Sequence, residues 1–182
     1  MPAQIAILAI AAHRDDIEQT CGGTLLKMAD RGHATGILDL TQGELGTRGT
    51  AEDRTREAEE AARILRVGWR RALDIPDGRV ENTWENRLKI AGVVRETRPQ
   101  VVILPYWQGR HPDHYTTSVL GYEACFLAGL AKLDLDGLAP HRPFKIVYAT
   151  LYYDIRPTFV VDITEQFEAR LQSILAYKSQ FT

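Results

Sequence analysis

Short apolar runs alternate with amphipathic stretches along the chain. The runs "QIAILAIAA" (4–12) and "VVILPY" (101–106) are continuous, a pattern typical of strands that are buried on both faces of a parallel sheet. Less continuous apolar patterns predict further strands at 34–40, 71–76 (the weakest), 145–153 and 158–164.

Segments with helical periodicity separate most of these strands. They predict helices at 22–32, 51–68 and 82–99, and a last helix that begins near Glu165. Strands that alternate with helices indicate βαβ units with right-handed crossovers. We therefore expect an α/β fold with a mostly parallel central sheet.

Length and composition exclude several classes of protein. A chain of 182 residues with 45% hydrophobic and 25% charged residues is an ordinary globular chain, so we expect a single domain over 1–182. A net charge of −2 gives no basic field for nucleic acid or a membrane surface. No basic leader and no span of about 20 apolar residues is visible, which favours a cytoplasmic enzyme or binding domain.

The helical pattern still runs at "AYKSQFT", from which we expect truncation at the C-terminus.

Two clusters of residues with metal-ligand chemistry follow the two most apolar strands. They are His13, Asp15 and Asp16 after the first strand, and His111, Asp113 and His114 after the strand at 101–106. In an open α/β sheet, ligands gather at the carboxyl ends of strands where the strand order reverses. If these two strands are neighbours at that point, both clusters face one crevice. Catalytic zinc takes three His or carboxylate ligands, and a further acid can accept a proton from water.

Each cluster also has a structural interpretation. "RDD" alone is compatible with a helix N-cap, and "HPDH" alone with a turn. The position of both clusters directly after apolar strands favours a functional site.

The motifs resemble those of a known enzyme family. "AHRDD" followed by "CGGT", and later "HPDH", are similar to the signature of the PIG-L/LmbE-like zinc-dependent N-acetylglucosamine deacetylases. "GELGTRGTAEDRTREAEEAARIL", "LPYWQGRHPDHYTTS", "FVVDIT" and "AYKSQF" resemble the branch that deacetylates N-acetylglucosaminyl malate in bacillithiol biosynthesis, over essentially the whole chain. The resemblance implies a Rossmann-like three-layer sandwich with helices on both faces of the sheet, bound Zn²⁺, a small amino-sugar conjugate as substrate and a homo-oligomer.

The resemblance also implies a role for each residue of the two clusters. The zinc ligands that it implies are His13, Asp16 and His114. Asp15 matches the general base, and His111 matches the histidine that, when protonated, stabilises the tetrahedral oxyanion or helps the amine to leave. Asp113 would orient or charge a histidine. The same ligands accept Fe²⁺ and other divalent ions, so the sequence leaves the native metal open.

Three residues are candidates for substrate binding. The resemblance implies that Arg54 contacts sugar hydroxyls or helps to shape the site, although an Arg54–Glu57 pair on a helix face is the alternative. We expect Arg48, in the loop before it, to bind a substrate carboxylate such as that of malate. Glu18 also matches the family and would brace the first loop, or act as an acid favoured in the first turn of a helix.

Some features leave the function open. Arg14 stands where the family usually has proline, and it adds a positive charge beside the presumed metal loop. A deacetylase of another amino sugar, of chitobiose-like oligomers or of another small amide fits the same motifs. A non-catalytic Rossmann-like binding domain is the alternative from a different class.

Overall fold

A five-stranded sheet forms the centre of the structure, a computed structural model that describes residues 4–150 and 153–181. The strands are β1 (Ile7–Ala11), β2 (Thr35–Asp39), β3 (Trp69–Ala72), β4 (Val101–Pro105) and β5 (Lys145–Ala149). Their order is β3-β2-β1-β4-β5, and every neighbouring pair is parallel.

Helices cover both faces of this sheet. They are α1 (Asp16–Thr20), α2 (Gly22–Asp30), α3 (Ala51–Ile64), α4 (Trp84–Thr97), α5 (Pro112–Ala128), a 3-10 helix (Thr164–Gln166) and α6 (Phe167–Leu175). Alternate residues of β1 enter two separate cores. Leu8 and Ile10 pack with α4 and α5, whereas Ala9 and Ala11 pack with α1 and α2 on the opposite face. The Rossmann-like α/β three-layer fold expected from the sequence is confirmed.

The strand order reverses between β1 and β4. From β1 the chain moves outward through β2 to β3, and it then returns to place β4 on the other side of β1. Ile7 of β1 therefore pairs with Thr35 of β2 on one side and with Val101 of β4 on the other. The two strands that precede the polar clusters are thus neighbours, and their carboxyl ends share one crevice.

The capping box of α3 fixes where that helix begins. The Thr50 hydroxyl accepts from the Asp53 N–H (3.1 Å), and the Asp53 carboxylate accepts from the Thr50 N–H (3.0 Å). This start places Arg54 on the first turn of α3, facing the crevice.

At the start of α2, a Cβ on Gly23 would lie 2.5 Å from Ile163 Cδ1, so the glycine allows the close approach of the segment before the 3-10 helix.

Two predicted strands differ from the structure. The strand predicted at 71–76 is β3 and occupies Trp69–Ala72 instead. The strand predicted at 158–164 is wrong, because this segment is irregular and the 3-10 helix begins at Thr164. Phe159 and Val160 are 63% and 80% exposed, so the apolar run has no sheet to join. The predicted strand at 145–153 is confirmed as β5 over its first part, and 151–152 lie outside the described residues.

The long helix α5 was not predicted from the sequence. Apolar residues surround it rather than forming one stripe: Leu120 and Ala124 are fully buried, whereas Val119, Tyr122 and Phe126 are about half exposed. Helical periodicity is therefore weak in this segment.

Among residues 4–150 and 153–181, no helix combines the length and apolarity needed to cross a bilayer.

Candidate functional site

A cavity of about 600 Å³ opens at the carboxyl ends of β1 and β4. Its walls come from the loops after β1, β2, β3, β4 and β5, together with residues of α1 and α3. Most of the site residues predicted from the sequence line it: His13, Asp15, Asp16, Arg54, His111 and His114.

The three predicted metal ligands converge on one point of the cavity wall. His13 Nδ1 lies 3.2 Å from His114 Nε2 and 3.5 Å from Asp16 Oδ2. Asp16 Oδ1 lies 3.1 Å from His114 Nε2. Two ligands of one tetrahedral zinc lie roughly 3.3 Å apart, because each bond is about 2.0–2.1 Å long. The donor set and its spacing therefore fit a divalent metal ion of the zinc type.

The opposite nitrogen of the His13 ring meets two other carboxylates. His13 Nε2 lies 3.0 Å from Asp77 Oδ1 and 3.3 Å from Asp113 Oδ2. Asp113 also accepts the backbone N–H groups of Gly78 (2.8 Å) and Val80 (3.3 Å). A histidine that donates one ring N–H to a carboxylate presents the lone pair of its other nitrogen to a metal.

Two further groups in the described part of the chain have the spacing of a metal site: His13 with His111 and His114, which shares two residues with the set of His13, Asp16 and His114, and His13 with Asp77 and Asp113. The group with Asp77 and Asp113 is the weaker candidate, because both oxygens of Asp113 already accept backbone N–H groups. Asp113 is also 2% exposed and lies behind the cavity wall. We therefore place the candidate metal centre on the Nδ1 side of His13, and Asp77 and Asp113 behind the ring.

Negative charge dominates the site. Burial opposes the protonation of His13. The carboxylates of Asp16, Asp77 and Asp113 nevertheless raise the pKa of His13 to about 9. Burial also opposes ionisation of Asp16, but hydrogen bonds from His114 and His13 hold its pKa well below the usual range. A divalent cation would compensate these carboxylates in place of the imidazolium proton.

The Asp15 carboxylate pairs with a residue of α3. Its Oδ1 accepts from Arg54 Nη2 at 3.3 Å, and as N-cap of α1 it makes no side-chain capping hydrogen bond. Burial, and then the charge of Asp16, raise the pKa of Asp15 to about 6. The carboxylate is thus held beside the metal ligands without belonging to them.

His111 is the N-cap of α5, and Pro112 follows it. Its Nδ1 accepts the backbone N–H of Asp113 at 3.2 Å, which leaves Nε2 as the nitrogen that carries the proton. Burial, and then the neighbouring His13 and His114, lower the pKa of His111. The turn interpretation of "HPDH" therefore holds, and this turn orients the ring, whereas the site interpretation stays a prediction.

Arg54 is 5% exposed, and its guanidinium packs against the glycine-rich loop before α3. A Cβ on Gly43, whose φ is +71°, would lie 3.0 Å from Arg54 Cζ. The alternative Arg54–Glu57 pair is not formed, since Glu57 accepts from the backbone N–H and the hydroxyl of Ser179 (both 2.7 Å).

Two predicted substrate contacts are placed elsewhere. Glu18 is completely buried and lies outside the cavity lining. Its Oε1 accepts from Arg70 Nη1 (2.7 Å) and the Tyr177 hydroxyl (2.9 Å). This geometry corrects the expectation of substrate contact, because Glu18 braces α1 against the core. Arg48 is exposed and does not line the cavity; its backbone carbonyl accepts from Gln180 Nε2 (2.9 Å).

Asp77 is the site residue that the sequence analysis missed. It lies in the loop between β3 and α4, lines the cavity and is 8% exposed. The sequence feature that could have identified Asp77 is its position, because this loop also follows the carboxyl end of a parallel strand.

Comparison with known proteins agrees with this geometry. Residues 8–125 match the PIG-L family, described as GlcNAc-PI de-N-acetylase, and this segment contains both polar clusters. The chain belongs to the PIG-L family. A diacetylchitobiose deacetylase from Thermococcus kodakarensis is 35% identical over 190 residues, which cover 96% of the chain and 70% of that protein.

Solved structures share the fold closely. The conserved protein TT1542 from Thermus thermophilus superposes with a TM-score of 0.95 at 42% identity, covering 98% of the chain and 81% of that structure. The N,N'-diacetylchitobiose deacetylase from Pyrococcus horikoshii, complexed with its inhibitor MPG, gives a TM-score of 0.88 at 31% identity, covering 97% and 70%. The predicted PIG-L membership is confirmed, whereas the N-acetylglucosaminyl malate branch stays a prediction.

Proposed function

We propose that the chain is a metal-dependent hydrolase that removes the acetyl group from an N-acetylglucosaminyl conjugate. The observation that carries this proposal is the convergence of His13 Nδ1, Asp16 and His114 Nε2 within 3.1–3.5 Å at a cavity wall. The same wall holds a further carboxylate, Asp15, that is not a member of this ligand set. Three ligands and one independent acid are the parts that metal-assisted amide hydrolysis needs.

The residues fit zinc, and Fe²⁺ accepts the same donors. When bound, such an ion supplies Lewis acidity that activates water and polarises the acetyl carbonyl. His13, Asp16 and His114 would hold it, and Asp113 would support the His13 ring from behind.

Asp15 is the proposed general base. Water adds its oxygen to the carbon of the acetyl group, and the Asp15 carboxylate takes the proton that water releases. When the C–N bond breaks, the same proton passes to the leaving nitrogen, which gives the amine and acetic acid, and the acid then loses its remaining proton to solvent. Arg54 holds Asp15 in place through the 3.3 Å contact.

His111 is the proposed oxyanion donor. Its Nδ1 is occupied by the N–H of Asp113, so a neutral ring carries its proton on Nε2. A preorganised N–H donor stabilises the negative charge that develops on the carbonyl oxygen. The lowered pKa of His111 favours this neutral ring over the protonated form that the sequence resemblance implies.

Two substrates follow from different observations. N-acetylglucosaminyl malate is the substrate that the sequence resemblance implies, and the exposed Arg110 at the cavity wall offers a guanidinium for its carboxylates. Diacetylchitobiose is the substrate named for two of the relatives. Tyr106 and Tyr153 also line the cavity, with ring centroids 6.1 Å apart, and aromatic rings of this kind can pack against a second sugar.

The test is acetate release by the metal-stripped and zinc-reloaded chain from N-acetylglucosaminyl malate, diacetylchitobiose and N-acetylglucosamine. We expect release that a chelator abolishes and zinc restores. Arg110→Gln should raise KM for the malate conjugate and leave diacetylchitobiose unchanged if malate is the aglycone. A zinc-loaded chain that releases no acetate would support the binding-domain alternative.

Homo-oligomerisation and a cytoplasmic location stay predictions.

A further inference from the structure

Asp77 contacts both a candidate metal ligand and the cavity wall. Its Oδ1 lies 3.0 Å from His13 Nε2, and its Oδ2 accepts the backbone N–H of Leu45 at 3.1 Å. The two oxygens of one carboxylate therefore join the loop after β2 to the ring of His13.

Asp77 and Asp113 contact His13 Nε2 in different ways. Asp113 Oδ2 lies 3.3 Å from this nitrogen in hydrogen-bond geometry and is the acceptor of the ring N–H. Asp77 Oδ1 is nearer, at 3.0 Å, but makes a close electrostatic contact rather than a hydrogen bond. Asp77 is also the carboxylate that contacts the loop after β2, through the Leu45 N–H.

The loop after β2 also binds the turn that carries Asp77. The carboxylate of Glu44 accepts the backbone N–H of Asp77 at 2.8 Å. Gly78 has a φ of +71°, and a Cβ there would lie 3.2 Å from Leu45 Cδ1, so the side chain of Leu45 covers this turn. Leu45, Gly46 and Thr47 in turn line the cavity.

We propose that Asp77 is a positioning residue that couples the 43–49 loop to the orientation of His13. Its carboxylate holds the Nε2 side of the ring beside the acceptor Asp113, so that the Nδ1 lone pair faces the metal, and its position depends on Glu44 and Leu45. Any ligand that packs against Leu45–Thr47 thereby steadies His13 as well. This inference rests on the proposed function, because it takes His13 as a metal ligand.

The experiment measures zinc affinity in the full chain by competition with a chromogenic chelator. The variants are Asp77→Asn, Asp113→Asn, Glu44→Ala and the Asp77→Asn/Glu44→Ala double variant, with Glu52→Ala as the matched control. Glu52 is an exposed acid on the first turn of α3, a few residues beyond the same loop. Circular dichroism confirms that each variant is folded, and Glu44→Ala, which leaves the His13 contacts intact, carries the test if Asp77→Asn does not fold.

We expect Asp77→Asn to weaken zinc binding about 10–100-fold, the usual effect of losing a partner of a metal-bound histidine. Asp113→Asn should also weaken zinc binding, because it alters the hydrogen-bond acceptor of the ring. Glu44→Ala should weaken binding in the wild-type background and add nothing to Asp77→Asn, because the link is already broken. Glu52→Ala should change nothing. Zinc should slow amide exchange in the 43–49 loop of the wild type but not of Asp77→Asn.

Two results would overturn the coupling: unchanged zinc affinity in Asp77→Asn, or a Glu44→Ala effect that persists in the Asp77→Asn background. Tight zinc binding with either of these results leaves the proposed function intact. A wild-type chain that binds no zinc contradicts the proposed function and this inference together.

Discussion

Arg54 Nη2 donates to Asp15 Oδ1 across 3.3 Å, and this contact joins α3 to the loop after β1. Both side chains are largely buried, with 6% and 16% of their surface exposed. Asp15 is therefore held in position by a residue from a separate element, whose start is set by the Thr50–Asp53 capping box.

Replacing Arg54 tests the importance of this contact. Arg54→Gln removes a charged hydrogen bond worth about 1.5–3 kcal/mol, so we expect kcat/KM for deacetylation to fall by about 10–100-fold. Zinc affinity should remain near that of the wild type, because Arg54 contacts none of the ligands. Arg56→Gln, on the exposed side of the same helix, is the control and should retain activity. Equal losses of kcat/KM in both variants would show that activity depends on the integrity of α3 and not on the contact with Asp15.

Removing the proposed base should separate chemistry from metal binding. Asp15→Asn preserves the shape of the side chain but cannot accept a proton, so we expect kcat to fall by at least about 100-fold. Zinc content, measured by atomic absorption on the dialysed protein, should stay at the wild-type level. Wild-type turnover in this variant would contradict the assignment of Asp15 as the base.

Removing a metal ligand should have the opposite signature. His114→Ala takes away one of three donors, so we expect it to lose tightly bound zinc. Zinc that binds only the folded chain stabilises it by about 2.7 kcal/mol when its concentration is 100 times its Kd. The melting temperature of the wild type should therefore rise with zinc, and that of His114→Ala should not. The control is His33→Ala, an exposed histidine after α2, which should respond to zinc as the wild type does.

Sequence patterns predicted the part of the site that depends on local order along the chain. His13 and His114 follow two strongly apolar strands, and parallel pairing of those strands brings their loops together. Asp77 follows β3, a short strand with the sequence "WRRA" that is only partly buried, so its loop had no comparable signal. Its role depends on contacts with His13 and Leu45, which are distant in sequence.

The sequence also does not reveal the direction in which a side chain points. Glu18 lies in the same stretch of motif as Asp15 and Asp16, and the sequence does not show that it points into the core. That direction depends on Arg70 and on Tyr177, which are brought to it by β3 and by the turn after α6. Patterns of polarity identify a polar residue near a site, whereas tertiary contacts decide whether it faces the cavity.

This buried cluster around Glu18 should be important for stability. Arg70 donates to both oxygens of Asp39 (2.8 and 3.0 Å) and to Glu18 (2.7 Å), and both acids are almost inaccessible to water. Arg70→Met leaves two buried carboxylates without their cation, so we expect a loss of about 3–5 kcal/mol in the free energy of unfolding, measured by urea denaturation. The next residue supplies the control, since Arg71 pairs with Glu96 at the surface. Arg71→Met should cost about 0–1 kcal/mol, and comparable losses in the two variants would mean that the buried pairs add no special stability.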